Sequence, residues 1–125
     1  SKPEDPERLM ELVLKKYGKI DILINNAGIL ETGLKPIDRF LDEDLDRIVE
    51  TNQKGTMRCM RAAARRMQSG ASIVNVASVA GVKGCGGAAY VASQAAVICA
   101  PFPADRHPLQ CDLPREYHHT DDDRN

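Results

Sequence analysis

The sequence predicts an α/β fold whose elements follow the order helix, strand, helix, strand, helix, with the two strands parallel. Two short runs of apolar and β-branched residues, 20–24 and 72–77, are typical of buried strands. The segments before, between and after them have the apolar periodicity of amphipathic helices. Because a helix separates the two strands, they are expected to pair in parallel through a right-handed crossover.

The first helix is expected to begin at Asp5-Pro6-Glu7. Asp5 is a capping residue, Pro6 suits the first helical turn, and Glu7 places a negative charge near the positive end of the helix dipole. Gly18 is placed to end the helix. The apolar face of this helix consists of Leu9, Met10, Val13, Leu14 and Tyr17.

The first strand is an apolar run, 20–24, which only Asp21 interrupts. It lacks the alternation of a strand with one solvated face. The sequence therefore predicts a strand covered on both faces, as in a parallel sheet. The sequence Asn-Asn-Ala-Gly, at 25–28, closes it.

The second helix is predicted from Glu43 to Met67, with Asp42 at its cap. Asn52 falls on the apolar stripe of this helix, where a polar side chain is either satisfied by internal hydrogen bonds or part of a water site. Gly55 lies in mid-helix, where glycine costs about 1 kcal/mol against alanine. That glycine favours a special backbone or a water site near Asn52.

The second strand, 72–77, places Ser78 at the carboxyl end of a parallel strand, where open α/β sheets bind their ligands. A Gly-rich loop follows at 81–87. The last helix is predicted from about Ala88 to Cys99. It carries Tyr90 and Gln94, which are four residues apart and so share one helical face.

Composition excludes several classes of function. The 125 residues carry 17 basic and 18 acidic side chains, for a formal net charge of −1, so no strong field attracts nucleic acid or an anionic membrane. No run approaches the roughly 18 apolar residues of a membrane span, and the opening residues are unlike a signal peptide. We therefore expect a cytoplasmic chain with neither nucleic acid nor membrane as a partner.

The last quarter of the chain has a different composition. Residues 101–125 hold four of the seven prolines and all three histidines, which is typical of an irregular, disordered tail. The sequence therefore predicts one partial domain at 1–100 and a separate tail. The four cysteines contain no Cys-x-x-Cys motif and are expected to be reduced thiols, with no metal site. One alternative is a zinc site whose spacings match no familiar finger. Its ligands would be Cys99, His107, Cys111 and either His118 or His119.

Four motifs carry the strongest functional information. They are Asp21-Ile-Leu-Ile-Asn-Asn-Ala-Gly28, Thr51-Asn-Gln-Lys-Gly55, Ser72-Ile-Val-Asn-Val-Ala-Ser78 and Tyr90-Val-Ala-Ser-Gln94. In this order and at this spacing they resemble the short-chain dehydrogenase/reductase family. The resemblance covers roughly residues 5–100 and implies a central fragment of that family, with a partial Rossmann-like, doubly wound parallel sheet. It also implies a homo-oligomer, and hydride transfer between NAD or NADP and a small alcohol or carbonyl substrate.

The resemblance also implies a role for each matching residue. The residues expected beside the cofactor are Asn26, Ala27, Gly28 and Tyr90. Those expected in the catalytic set are Asn52, Ser78, Tyr90 and Gln94. In the family, the residue matching Asn52 anchors a water relay, the one matching Ser78 holds the substrate oxygen, and the one matching Tyr90 transfers the proton.

Position 94 departs from the family, in which a lysine follows the tyrosine by four residues and also hydrogen-bonds the nicotinamide ribose. An unperturbed tyrosine has a pKa of about 10, so proton transfer near neutral pH needs a nearby positive charge. Gln94 supplies a hydrogen-bonding group without that charge. Lys83 is the nearest other candidate cation in sequence.

The phosphate-binding part of the family pattern is also missing. No Gly-x-x-x-Gly-x-Gly turn occurs in the sequence, and such a turn normally cradles the pyrophosphate at a helix N-terminus. Two functions therefore stay open. One is an NAD(P)-dependent oxidoreductase, and the other is a catalytically silent, truncated chain that retains a helical face for pairing.

Overall fold

The predicted α/β order is confirmed in a computed structural model that describes residues 2–100. In chain order the elements are α1 (Asp5–Tyr17), β1 (Ile22–Asn25), a 3₁₀ turn (Ile37–Arg39), α2 (Asp42–Ile48), a π-helical turn (Val49–Gly55), α3 (Thr56–Ala64), β2 (Ser72–Asn75), α4 (Ala80–Lys83) and α5 (Ala88–Ile98). The strands pair in parallel, with Ile22 opposite Ser72 and Asn25 opposite Asn75. The predicted tail lies outside the described residues, and so do all candidate zinc ligands except Cys99.

The predicted long helix is present, but it is not regular. Residues 42–64 are continuously helical, and Val49–Gly55 winds as a π-helix between α2 and α3. Gly55 in mid-helix indicated such a special backbone. The predicted cap is wrong by one residue, because Asp42 is itself the first helical residue. The helix also ends three residues before the predicted Met67.

Other element ends differ from the predictions for local reasons. Asp5 is the first residue of α1 rather than its cap, and its carboxylate accepts a hydrogen bond from the main-chain N of Lys2 at 2.9 Å. β2 ends two residues early because β1 ends at Asn25, whose carbonyl accepts the last interstrand bond from Val76 N at 2.8 Å. α4 is a helical turn that begins one residue before the predicted Gly-rich loop and extends into it, and Gly84 ends it with a φ of +67°.

The core lies between α1, α3 and one face of the sheet. α1 packs against α3, and α3 packs against β1. The buried residues of this core are Met10, Ile20, Ala62 and Ala63, with Val13, Leu14, Leu23 and Met67 packed against them. On the other side of the long helix, α5 packs against the π-helical turn, α2 and α4. The described residues therefore form one helical layer on the sheet.

The opposite face of the sheet is open, so the expectation of strands covered on both faces is wrong for residues 2–100. Ile22 and Ile24 are 62% and 61% exposed, and Val74 and Val76 are each 47% exposed. These four side chains project from one side because residues alternate along a strand. We call Ile22, Ile24, Val74 and Val76 the open sheet face.

Candidate active site

Asn52, in the π-helical turn, is the polar centre of the site. It is 1% exposed. Its Oδ1 accepts a hydrogen bond from Ile29 N at 2.8 Å, and its Nδ2 donates to Ile29 O at 2.9 Å and to Ser93 Oγ at 3.0 Å. Both amide hydrogens are thus used by protein groups. The side chain cross-links the segment after β1 to α5, which is the internally satisfied alternative offered by the sequence.

Tyr90 is fixed through its main chain on both sides. Ser93, which is also 1% exposed, donates its hydroxyl to Tyr90 O at 2.8 Å. The main-chain N of Tyr90 donates to Glu31 Oε1 at 2.9 Å. The tyrosine lies in the first turn of α5, as predicted, and it is half-buried.

Ser78 lies on a segment that is held against α5. It follows β2, is half-buried, and its Oγ accepts a hydrogen bond from Ala80 N at 3.2 Å. A Cβ on Gly81 would stand only 2.6 Å from the main chain of α5. Because main chain cannot give way as a flexible side chain can, glycine at 81 permits the contact. The serine segment and the tyrosine helix are therefore packed together.

The Asn-Asn-Ala-Gly turn is anchored at its start and exposed beyond it. Asn25 Nδ2 donates to Asn75 Oδ1 at 2.8 Å, and Asn75 Nδ2 donates to Met60 Sδ at 3.4 Å. These bonds tie the carboxyl ends of the two strands to α3. Asn26, Ala27 and Gly28 follow as exposed residues at that edge.

Gln94 is buried without a hydrogen-bond partner for its side chain among residues 2–100. It is 5% exposed. Its Nε2 lies 3.9 Å from the point that a Cβ on Gly28 would occupy, so the amide borders the exposed turn. A buried polar group with no partner costs about 1–3 kcal/mol. Such a group is expected to find its partner in a ligand or a water. Lys83, the candidate cation named from the sequence, is exposed at the end of α4.

The segment 29–32 is pinned at successive residues. Beyond the bonds from Asn52 and Tyr90, Arg47 Nη2 donates to Leu30 O at 2.9 Å and to Thr32 Oγ1 at 3.4 Å. Arg47 and Lys35 in turn pair with Asp44 at 3.6 and 3.0 Å. The hydrogen bond from Lys35, helped by the charges of Lys35 and Arg47, holds the pKa of Asp44 below its ordinary value despite burial.

Three residues of the site were not predicted from the sequence. They are Glu31, Gly81 and Ser93. One indication was available for Glu31, because α5 has no acidic residue in its first turn and its cap position is a glycine. The unsatisfied N–H groups at such a helix start need an acceptor from elsewhere. The sequence does not indicate which residue supplies it.

Neither a metal cluster nor a spanning helix occurs in the described part of the chain. Between residues 2 and 100 no three His, Cys, Asp or Glu side chains are grouped so that they could hold a metal ion. Over the same residues, every helix is too short or too polar to cross a membrane.

Comparison with known proteins identifies relatives across the described region. Residues 1–100 match the family model described as short chain dehydrogenase. A short-chain dehydrogenase/reductase of Pyricularia oryzae is 40% identical over 101 residues, which cover 78% of this chain and 38% of that protein. A 3-oxoacyl-(acyl-carrier-protein) reductase of Thermotoga maritima is 41% identical over 95 residues, which cover 74% of this chain and 38% of that protein.

Solved structures give the same result. A short chain dehydrogenase from Burkholderia cenocepacia, in complex with NADP, superposes with a TM-score of 0.71 at 31% identity, over 78% of this chain and 40% of that one. An NAD⁺-bound xylitol dehydrogenase superposes with a TM-score of 0.69 at 33% identity, over 78% and 38% of the two chains. The chain thus spans about two fifths of the length of these relatives.

Proposed function

Because this chain belongs to the short-chain dehydrogenase family, we propose that its site is the substrate-side part of an NAD(P)-dependent oxidoreductase site. The reaction is hydride transfer between the cofactor and a small alcohol or carbonyl compound. The observation that carries the proposal is the fixing of Tyr90 by Glu31 and Ser93, on a helix against which the Ser78 segment packs.

Each residue has a chemical role in this proposal. The phenol of Tyr90 exchanges a proton with the substrate oxygen, and the hydroxyl of Ser78 holds that oxygen. Ser78 Oγ already accepts a bond from Ala80 N, so its hydrogen is available to donate to a substrate. Asn52 keeps the site together from the π-helical turn and is proposed to anchor the water relay through groups other than its amide hydrogens.

The residues present fit one end of a nicotinamide cofactor. The unpartnered amide of Gln94, beside the exposed turn Asn26 to Gly28, is a suitable donor for a ribose hydroxyl. The cofactor would supply or accept the hydride. Nothing in residues 2–100 corresponds to the Gly-rich pyrophosphate turn, so the phosphate end needs groups outside this region. The choice between NAD and NADP stays open, since the relatives above include complexes with each.

Gln94 supports a second candidate, a catalytically silent chain that pairs with a second copy through a helical face. An ammonium one helical turn from a phenol stabilises the phenolate, and a neutral amide does not supply that charge. Each lost pKa unit of such assistance is worth about 1.4 kcal/mol, or tenfold in driving force. A large loss would leave the chain without measurable turnover.

Fluorescence titration of the full chain with NADH and with NADPH separates the two candidates. The oxidoreductase proposal expects saturable, micromolar binding of at least one cofactor. Absence of binding by a folded chain would support the silent candidate and overturn the oxidoreductase proposal for this chain alone.

Restoring the charge tests the role of position 94. Gln94→Lys should raise turnover with a small alcohol or ketone at least about tenfold, because the ammonium would assist Tyr90. Gln68→Lys is the matched control, since Gln68 is exposed between α3 and β2. A cofactor-binding, folded Gln94→Lys variant with no gain over the control would contradict the assignment.

A further inference from the structure

The helix that carries Tyr90 has no cap of its own. Its cap position is Gly87, which has no side chain to accept a hydrogen bond from the first turn, and none of the first-turn residues is acidic. The first N–H groups of a helix lack partners within the helix. Here the N–H of Tyr90 is satisfied by the carboxylate of Glu31, which is 59 residues away in sequence.

Gly87 makes room for that carboxylate. A Cβ on Gly87 would overlap the carboxylate of Glu31. The backbone of Gly87 has a φ of −70° and a ψ of 142°, a conformation that any residue adopts. Space, and not backbone freedom, therefore explains the glycine. The helix start and Glu31 fit each other as a pair.

The main chain around Glu31 is also held in place by hydrogen bonds. It lies three residues after Gly28 of the exposed turn, and its neighbours Ile29 and Leu30 are held by Asn52 and Arg47. A carboxylate near the positive end of a helix is favoured by the helix dipole as well as by the hydrogen bond. The contact thus joins the turn after β1 to the first turn of α5.

We propose that Glu31 is a positioning residue for Tyr90: its carboxylate, seated over Gly87, holds the first turn of α5 and so sets the place of the phenol. This role rests on the proposed function for its catalytic meaning. The contact itself does not depend on cofactor binding or turnover.

Amide hydrogen exchange of the full chain, followed by NMR, tests the contact directly. In Glu31→Ala, exchange at the Tyr90 amide should accelerate at least about tenfold, because its acceptor is lost. The Val91 amide, which donates to Gly87 O at 2.9 Å, serves as the internal reference. Glu31→Gln should restore protection, because an amide oxygen also accepts. Glu43→Ala, which removes an exposed glutamate from α2, should change neither amide.

A second route displaces the carboxylate without changing Glu31. Gly87→Ala should accelerate exchange at the Tyr90 amide as Glu31→Ala does. Exchange in the double variant should be no faster than in either single variant. Equal protection of the Tyr90 amide in wild type and both single variants would overturn the contact.

In the Gln94→Lys background, Glu31→Ala should lower kcat with KM unchanged. If the contact is lost but kcat is unchanged, the positioning role of Glu31 is overturned and the proposed function is not. If no variant turns over, the result counts against the proposed function, and the exchange data still show whether the contact exists.

Discussion

At the carboxyl end of the sheet, segments from β1, the π-helical turn and α5 are joined by buried polar bonds, whereas the open sheet face presents four apolar side chains to solvent. Both regions belong to the same two strands. The carboxyl end is held together by contacts among residues 25–95. The open sheet face is not covered by any of residues 2–100. The site geometry is therefore set by contacts within the described residues, whereas those residues do not bury the open sheet face.

Removal of Asn52 should have the largest effect on this comparison. Asn52→Ala leaves the main-chain N and O of half-buried Ile29 without these partners, and it removes the donor to buried Ser93 Oγ, which still donates to Tyr90 O. Unsatisfied buried groups cost about 1–3 kcal/mol each, so we expect a loss of about 3 kcal/mol in the free energy of unfolding. Urea denaturation followed by circular dichroism measures it.

Gln53→Ala is the matched control for this variant. Gln53 lies in the same π-helical turn, is half-buried, and makes no side-chain hydrogen bond among residues 2–100. Its replacement should cost less than 1 kcal/mol. If the two variants were equally stable, the polar bonds would not be what holds the carboxyl end together.

The two faces of β1 provide the next largest contrast. Leu23 packs against the core, while Ile24, the next residue, is 61% exposed. Leu23→Thr should therefore cost about 2 kcal/mol in the free energy of unfolding, from lost packing. Ile24→Thr keeps a β-branched residue at an exposed site and should change stability by less than about 0.5 kcal/mol. Comparable losses in the full chain would mean that the open sheet face is covered in solution.

The sequence predicted the parallel strand order and the helices because these follow from local periodicity. The same logic failed at the open sheet face. An apolar run such as 20–24 indicates that a strand is suited to burial on both faces, but it does not indicate which part of a chain provides the cover. Periodicity reports a preference of the strand and not the presence of its neighbours.

The site was predictable where a motif carries it and not where a single distant contact does. Tyr90, Ser78 and Asn52 lie within recognisable motifs at fixed spacing. Glu31 meets Tyr90 across 59 residues, and neither side chain belongs to a pattern that reveals the other. The close approach of Gly81 to α5 is likewise a tertiary fact, because glycine in a loop is ordinarily interpreted as a turn residue.

Protonation of Asp44 should produce the smallest effect, and this effect is confined to the carboxyl end of the sheet. Lys35 and Arg47 hold the pKa of Asp44 below its ordinary value, so this carboxylate stabilises the fold fully above about pH 4. That stabilisation is lost as the pH falls through the lowered pKa, and Arg47, which also holds Leu30, is then less restrained.

Glu7 and Glu50 also have a lowered pKa, so the wild-type chain loses stability in acid for several reasons. Asp44→Asn isolates one of them: its stability deficit should be present at pH 7 and should shrink as the pH falls through the lowered pKa of Asp44. Asp46→Asn, on the exposed side of α2, is the control and should show a smaller deficit at pH 7. A deficit for Asp44→Asn that does not change with acidification would mean that its ion pairs do not support the segment 29–32. The carboxyl end of the sheet would then be held by the bonds of Asn52 and Tyr90 alone.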